Sequence, residues 1–168
     1  MSKYSVGFLP EGPAITEADI LKAQKMWGDA VVAIGKAGEG APAVAEEAAK
    51  AAYAFDLGPI QFKPTRVSEV PFRPDLEGTV SYFVGSDIEK YKEDKGFALE
   101  PWENVRFEND TIKIKGNIAI AMGHYYFYPT GSSGESSGTK VEYTKGYVKT
   151  PDGRVLIFLQ HSSVPYSP

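Results

Sequence analysis

The chain has no cysteine among its 168 residues. Disulfides, thiol nucleophiles, iron–sulfur clusters and thiolate zinc sites are excluded together. Histidine is nearly as scarce, with His124 and His161 the two present. They sit on separate expected strands, with neither HxH nor HExxH spacing. A catalytic zinc site takes three protein ligands, so a metal reading would need both imidazoles plus a carboxylate; no metal or other cofactor is expected. Positive charge is also short: 18 Lys and Arg against 22 Asp and Glu give a net charge of −4. There is no basic surplus to neutralise phosphates, so nucleic acid is not an expected partner. No apolar run approaches the ~20 residues of a membrane span, and residues 1–14 lack the charged and apolar regions of a secretory signal. No membrane partner is expected.

Aromatic residues are plentiful, with 10 Tyr, 9 Phe and 2 Trp, and they concentrate in the second half, as in a sheet. The first half reads as helical. Thr16-Glu17-Ala18-Asp19 has the pattern of a capping box, followed by Ile20, Ala23, Trp27, Val31 and Ile34 at helical spacing over residues 17–35. An alanine-rich segment, 41–54, reads as a second helix with Pro42 in its first turn. Residues 77–85 place Val80, Tyr82 and Val84 on one parity, and 87–96 reads as an exposed charged loop or helical turn. Strands are expected at 102–108, 111–115, 117–128, 140–149 and 154–163, separated by Asn109-Asp110, Gly116, the Gly/Ser segment 129–139 and Pro151-Asp152-Gly153. The segment 129–139 reads as a flexible hairpin tip. Helices followed by an antiparallel meander predict an α+β domain with N-terminal helices packed on a strongly curved antiparallel sheet, leaving a conical cavity at one end.

The last strand carries the candidate chemistry. On simple alternation Val155, Ile157, Leu159, His161 and Ser163 share one face, and Leu156, Phe158, Gln160 and Ser162 the other. The first face is apolar and ends in an imidazole and a hydroxyl. Thr65, Tyr82, His161 and Ser163 could converge at the cone's mouth, where neutral donors and acceptors orient a water and steady an oxyanion. In the strand 117–128, His124 reads as a core histidine. No GxSxG elbow is present, and Gly35, Gly38 and Gly40 follow a helix, the wrong context for a dinucleotide loop.

Several ordered motifs carry a family resemblance: GDAVVAIGKA, FKPT, VSYFVG, GFALEPWENVRFEN, GNIAIAMGHYYF, KVEYTKGYVK and LQHSSVPY. Over residues 15–167 they resemble the SnoaL/NTF2-like domains related to the calcium/calmodulin-dependent kinase association domain. More narrowly they resemble the iota-class carbonic anhydrases. The resemblance implies an NTF2-like cone, a homodimer, and reversible hydration of CO2 to bicarbonate without a metal. It implies catalytic roles for Thr65, Tyr82, Ser163 and His161, with Phe62, Tyr126 and His124 on the substrate side. The family commonly ends in HHSS; here Gln160 replaces the first histidine. One domain is expected over 1–168, with 1–14 as an extension and the start Met1-Ser2-Lys3 suiting a domain cut from a longer precursor. Its compartment is left open between plastid, bacterial cytoplasm and periplasm. Two alternatives stay open: an isomerase of the ketosteroid type with Asp56 as base, and a non-catalytic ligand-binding or oligomerisation module.

Overall fold

The computed structural model describes residues 3–132 and 138–168. Most of the Gly/Ser hairpin tip, 133–137, lies outside the described residues.

Helix α1 (Glu17–Lys36) begins where the sequence provides for it. The Thr16 hydroxyl accepts from the Asp19 amide at 3.2 Å, and the Thr16 amide donates to the Asp19 carboxylate at 3.0 Å. This reciprocal cap satisfies two amides that a helix start leaves without partners. Its inward stripe, Ile20, Gln24, Trp27, Val31 and Ile34, is buried. Helix α2 (Ala41–Ala52) buries Ala41, Ala45 and Ala49, so small side chains let it approach α1 closely. Helix α3 (Leu76–Val84) is capped by Asp75, whose carboxylate accepts from the Gly78 amide at 2.8 Å. The parity of Val80, Tyr82 and Val84 suggested extended chain; the cap and the buried Gly78, Thr79, Ser81, Tyr82 and Phe83 fit a helix pressed into the core.

The five strands are β1 (Gln61–Lys63), β2 (Trp102–Lys115), β3 (Ile118–Pro129), β4 (Thr139–Lys149) and β5 (Val155–Ser163). They form one sheet in the order β1-β5-β4-β3-β2. β2 to β5 make the expected antiparallel meander, but β1 pairs parallel with β5, with Lys63 opposite His161. The sheet is therefore mixed. Its inner face packs on the helices through a core that includes Trp27, Tyr53, Phe62, Phe83, Tyr125, Phe127, Tyr143 and Tyr147.

Besides an irregularity at Glu103 near the start of β2, two bulges bend the sheet. In β2, Asn109 pairs with Gly123 but Thr111 pairs with Met122, so Asp110 is an extra residue. The Asn109-Asp110 pair is a bulge within one long strand, where the sequence suggested a turn between two strands. In β5, Ile157 pairs with Tyr147 while Leu159 pairs with Gly146, which leaves Phe158 as the extra residue. Each bulge faces a glycine. A Cβ on Gly123 would stand 2.2 Å from the Glu108 carbonyl oxygen, and one on Gly146 would stand 2.6 Å from the Phe158 ring. Bulges sharpen local twist, so these two account for much of the sheet's roll around the helices.

Segment 87–96 is not simply an exposed loop. Tyr91 and Asp94 are buried, and Asp94 accepts two hydrogen bonds from Arg73, at 2.7 and 2.8 Å. Arg73 also lies 4.4 Å over the Tyr91 ring and donates to the carbonyls of Val70 and Gly78. Beside it, the Glu93 carboxylate accepts from the amides of Ser68, Glu69 and Val70. These contacts hold the loop after β1 against α3, and that loop begins at Thr65.

Candidate active site

A small cavity opens between α1, α3 and the ends of β1, β3 and β5. It is lined by Trp27, Phe62, Pro64, Thr65, Tyr82, Phe83, Phe97, Tyr125, Phe127, Gln160 and Ser162. Its free volume is about 10 Å³, close to the room one water needs. The apolar wall is interlocked: Phe97 meets Phe127 edge-on at 4.9 Å and stacks on Tyr82 at 5.5 Å, and Phe62 meets Tyr82 edge-on at 6.2 Å. Rings held this way have little freedom to collapse into the space they enclose.

The polar atoms enter from one side. Tyr125 and Ser162 share a short hydroxyl–hydroxyl hydrogen bond. The Arg66 amide donates to the Tyr82 hydroxyl at 3.4 Å. Thr65 lines the cavity beside both phenols. Gln160 is fixed from behind by a buried relay: the Trp27 indole N–H donates to the Tyr53 hydroxyl at 2.9 Å, which donates to the Gln160 Oε1 at 2.7 Å. Burial pushes the Tyr125 phenol up to about 12, against hydrogen bonding from Ser162, Gln160 and Thr65. Burial raises Tyr82 further, with the Tyr125 phenol adding to it. Both phenols are therefore neutral donors at any physiological pH. No lining side chain carries a full charge.

Of the residues singled out in the sequence, Thr65, Tyr82 and Phe62 line this cavity. The other four do not. His161 pairs with Thr144 and Ser163 with Glu142, on the outer face of the sheet; Ser163 lies 3.5 Å from the Glu142 carboxylate. Tyr126 is covered by the Arg106 guanidinium at 4.5 Å. His124 is half-buried on the same outer face, its ring 6.2 Å from Tyr126, and is no core residue. The cause on β5 is the bulge. Alternation holds from Val155 to Ile157, the extra Phe158 shifts it by one, and Gln160 and Ser162 turn inward where His161 and Ser163 were expected. Asp56, the candidate base of the isomerase alternative, is tied to Arg154 at 2.9 Å in an exposed pair. Among the described residues, no group of three or more His, Asp or Glu side chains is placed to hold a metal ion.

Comparison with known proteins accords with this geometry. The family described as metal-independent carbonic anhydrase matches residues 18–164. A curated metal-independent carbonic anhydrase from Nostoc sp. (strain PCC 7120 / SAG 25.82 / UTEX 2576) is 42% identical over 159 residues, 91% of this chain and 75% of that protein. The crystal structure of a cyanobacterial iota-carbonic anhydrase complexed with bicarbonate superposes with a TM-score of 0.86 at 37% identity, covering 97% of this chain and 100% of that one. An NTF2-like protein from Streptomyces avermitilis, 13% identical, gives 0.55 over 89% of this chain and 96% of that one, a likeness of fold alone. A neutral, hydroxyl-lined hollow in an NTF2-like α+β cone and a family match over nearly the whole chain lead to one statement: the chain belongs to the metal-independent carbonic anhydrases.

Proposed function

We propose that the chain interconverts CO2 and bicarbonate in the cavity between Thr65, Tyr82, Tyr125, Gln160 and Ser162. The observation that carries the placement is the convergence of five neutral polar side chains on a space otherwise walled by rings. The lining must open beyond its room for about one water to admit both reactants; CO2 then lies against Phe62, Phe97 and Phe127. Water is held by Ser162 and Thr65, and Tyr82 and Tyr125 donate to the oxygen that becomes negative as the C–O bond forms.

The energetic difficulty fixes how the proton must move. Bulk water has a pKa of ~15.7, against ~7 on zinc. Making hydroxide without a cation therefore requires offsetting roughly 12 kcal/mol at ~1.36 kcal/mol per unit. Hydrogen bonds worth ~1.5–3 kcal/mol each do not reach that sum. Water must lose its proton during attack on carbon: the Ser162 hydroxyl takes it while handing its own proton to Tyr125, and Tyr125 hands its own to the oxygen turning negative, so that carbonic acid leaves to ionise in solvent and free hydroxide never accumulates. The reaction then needs no ionised side chain at the carbon.

Stopped-flow CO2 hydration by exhaustively chelated protein tests this reading. Ser162→Ala and Thr65→Ala should each lose rate by about 10²-fold, the usual cost of one preorganised donor. His161→Ala and Ser163→Ala should stay within about twofold, since neither reaches the cavity. The reverse pattern, or activity that vanishes on chelation, would overturn it.

The partner of the protein is, on the same reading, a second copy of itself. The outer face of β3 exposes Ile120 and Met122, 41% and 52% accessible, with no helix against them. Such an apolar strip on an antiparallel sheet fits a homodimer contact. Light scattering on the wild type and on Met122→Lys decides it: a dimer that becomes a monomer supports the face, and an unchanged mass rejects it. No helix among the described residues is long and apolar enough to cross a membrane.

A further inference from the structure

Lys145 is wholly buried, and its amine has no hydrogen-bond partner among the described residues. It points inward from β4, directly across from Gln160. Its nitrogen stands 3.6 Å over the Trp27 ring, 5.0 Å from the centroid of Phe107 and 5.5 Å from that of Tyr125. Trp27 and Tyr125 also line the CO2 cavity. The two rings are thus a shared wall, with the amine on one side and the reacting atoms on the other. An unpartnered amine is costly inside a protein, and packing alone would be better served by methionine at this position.

Two opposed forces act on the amine. Burial disfavours the ammonium and lowers its proton affinity. The faces of three rings favour the cation. The titratable groups facing the same core are phenols: Tyr125 on β3, Tyr143 and Tyr147 on β4, and Tyr53 after α2, all raised by burial. Helix α1 offers Gln24 and Trp27, β2 offers Phe107 and Asn109, and β5 offers Gln160, none of which titrates. Among the described residues, the amine is therefore the group behind the cavity whose charged form burial disfavours and a neighbouring anion would favour.

We propose that Lys145 is the countercharge of bicarbonate: the bound anion draws a proton onto its buried, unpartnered amine across the Trp27–Tyr125 wall. This rests on the cavity being the bicarbonate site. The coupling is reciprocal, since an anion that favours the ammonium is itself held more tightly by it. Bicarbonate binding then takes up a proton, and the ammonium returns it when the anion leaves. Lys145 touches neither substrate nor product and acts as a positioning residue through its charge.

Calorimetric titration of the chelated protein with bicarbonate, in two buffers of different ionisation heat, measures the proton uptake directly. Wild type should take up a fraction of a proton near neutrality and bind more weakly as pH rises. Lys145→Met should bind about tenfold more weakly at neutral pH, take up none, and melt no lower than wild type, since an unpartnered buried amine has been removed. Equal affinity in both proteins overturns the inference, as does a wild type that binds without proton uptake. Ser162→Ala separates the two claims. Binding lost there but unchanged in Lys145→Met rejects the countercharge alone, whereas binding unchanged in Ser162→Ala rejects the cavity.

Discussion

At the scale of single residues, the cavity depends on groups that never touch it. Tyr53 is the middle link between the Trp27 indole and Gln160. Tyr53→Phe keeps the ring and its packing on Phe62 but strands a buried N–H donor and a buried carbonyl acceptor. Leaving buried groups unsatisfied costs about 1–3 kcal/mol, so urea denaturation should show a loss of that size. Hydration should fall as well, because Gln160 is freed to turn away from Tyr125. A variant as stable as wild type would mean that water replaces the phenol. The single-residue chemistry was only partly legible in the sequence. Thr65, Tyr82 and Phe62 were legible through the FKPT and VSYFVG segments that carry the family resemblance. Gln160 looked like a loss, a missing imidazole, and Ser162 looked outward. Tyr125 shares the inner face of β3 with the buried Ala119 and Ala121.

At the scale of elements, the β5 bulge decides which side chains the cavity receives. The antiparallel run from β2 to β5 was legible because period-two alternation and the Pro151-Asp152-Gly153 turn are local signals, though β1 and its parallel pairing were not. The bulge was not, since one extra residue leaves no local mark and is seen only against a partner strand. The one trace of it lies on β4, where Gly146 interrupts the run Tyr143-Thr144-Lys145-Gly146-Tyr147. A glycine inside a strand marks close approach, and here Phe158 occupies the space a side chain would need. Gly146→Val therefore should force the Phe158 ring off its seat. Overpacking of this kind costs roughly 1–3 kcal/mol. The activity loss should exceed what the stability loss explains, because Gln160 and Ser162 take their orientation from the same kink. A folded Gly146→Val protein with full hydration activity would show that the bulge is not what turns them. Helix α3 illustrates the other kind of miss. Its 9 residues are too few for periodicity to outweigh β-branched composition, and its local mark, the Asp75 cap, is seen only in the structure.

At the scale of the whole molecule, the architecture follows from segregation: helices first, meander after, one core between. What composition could not show was the charged tie inside it. Arg73 and Asp94 are buried together, and Glu93 next to them is held down at about 2 against a usual 4.5. Partial burial works against this, and amide bonds from Val70, Ser68 and Glu69 more than offset it. The folded carboxyl is more acidic than the unfolded one, so the contribution is complete above about pH 4.5 and disappears as pH falls toward 2. Thermal melts from pH 6 to 3 should drop in wild type and drop less in Glu93→Gln, which starts lower. Parallel curves would place the acid sensitivity elsewhere.

The parallel pairing of β1 with β5 has a consequence for biosynthesis. Strand β5 lies between β1 and β4, yet it is made after both. Until it leaves the ribosome, two strands wait with bare edges, a state prone to sticking to other chains. The part of the cavity wall contributed by Gln160 and Ser162 is added only with β5, so a chain lacking that strand would miss two of the five polar side chains that converge there.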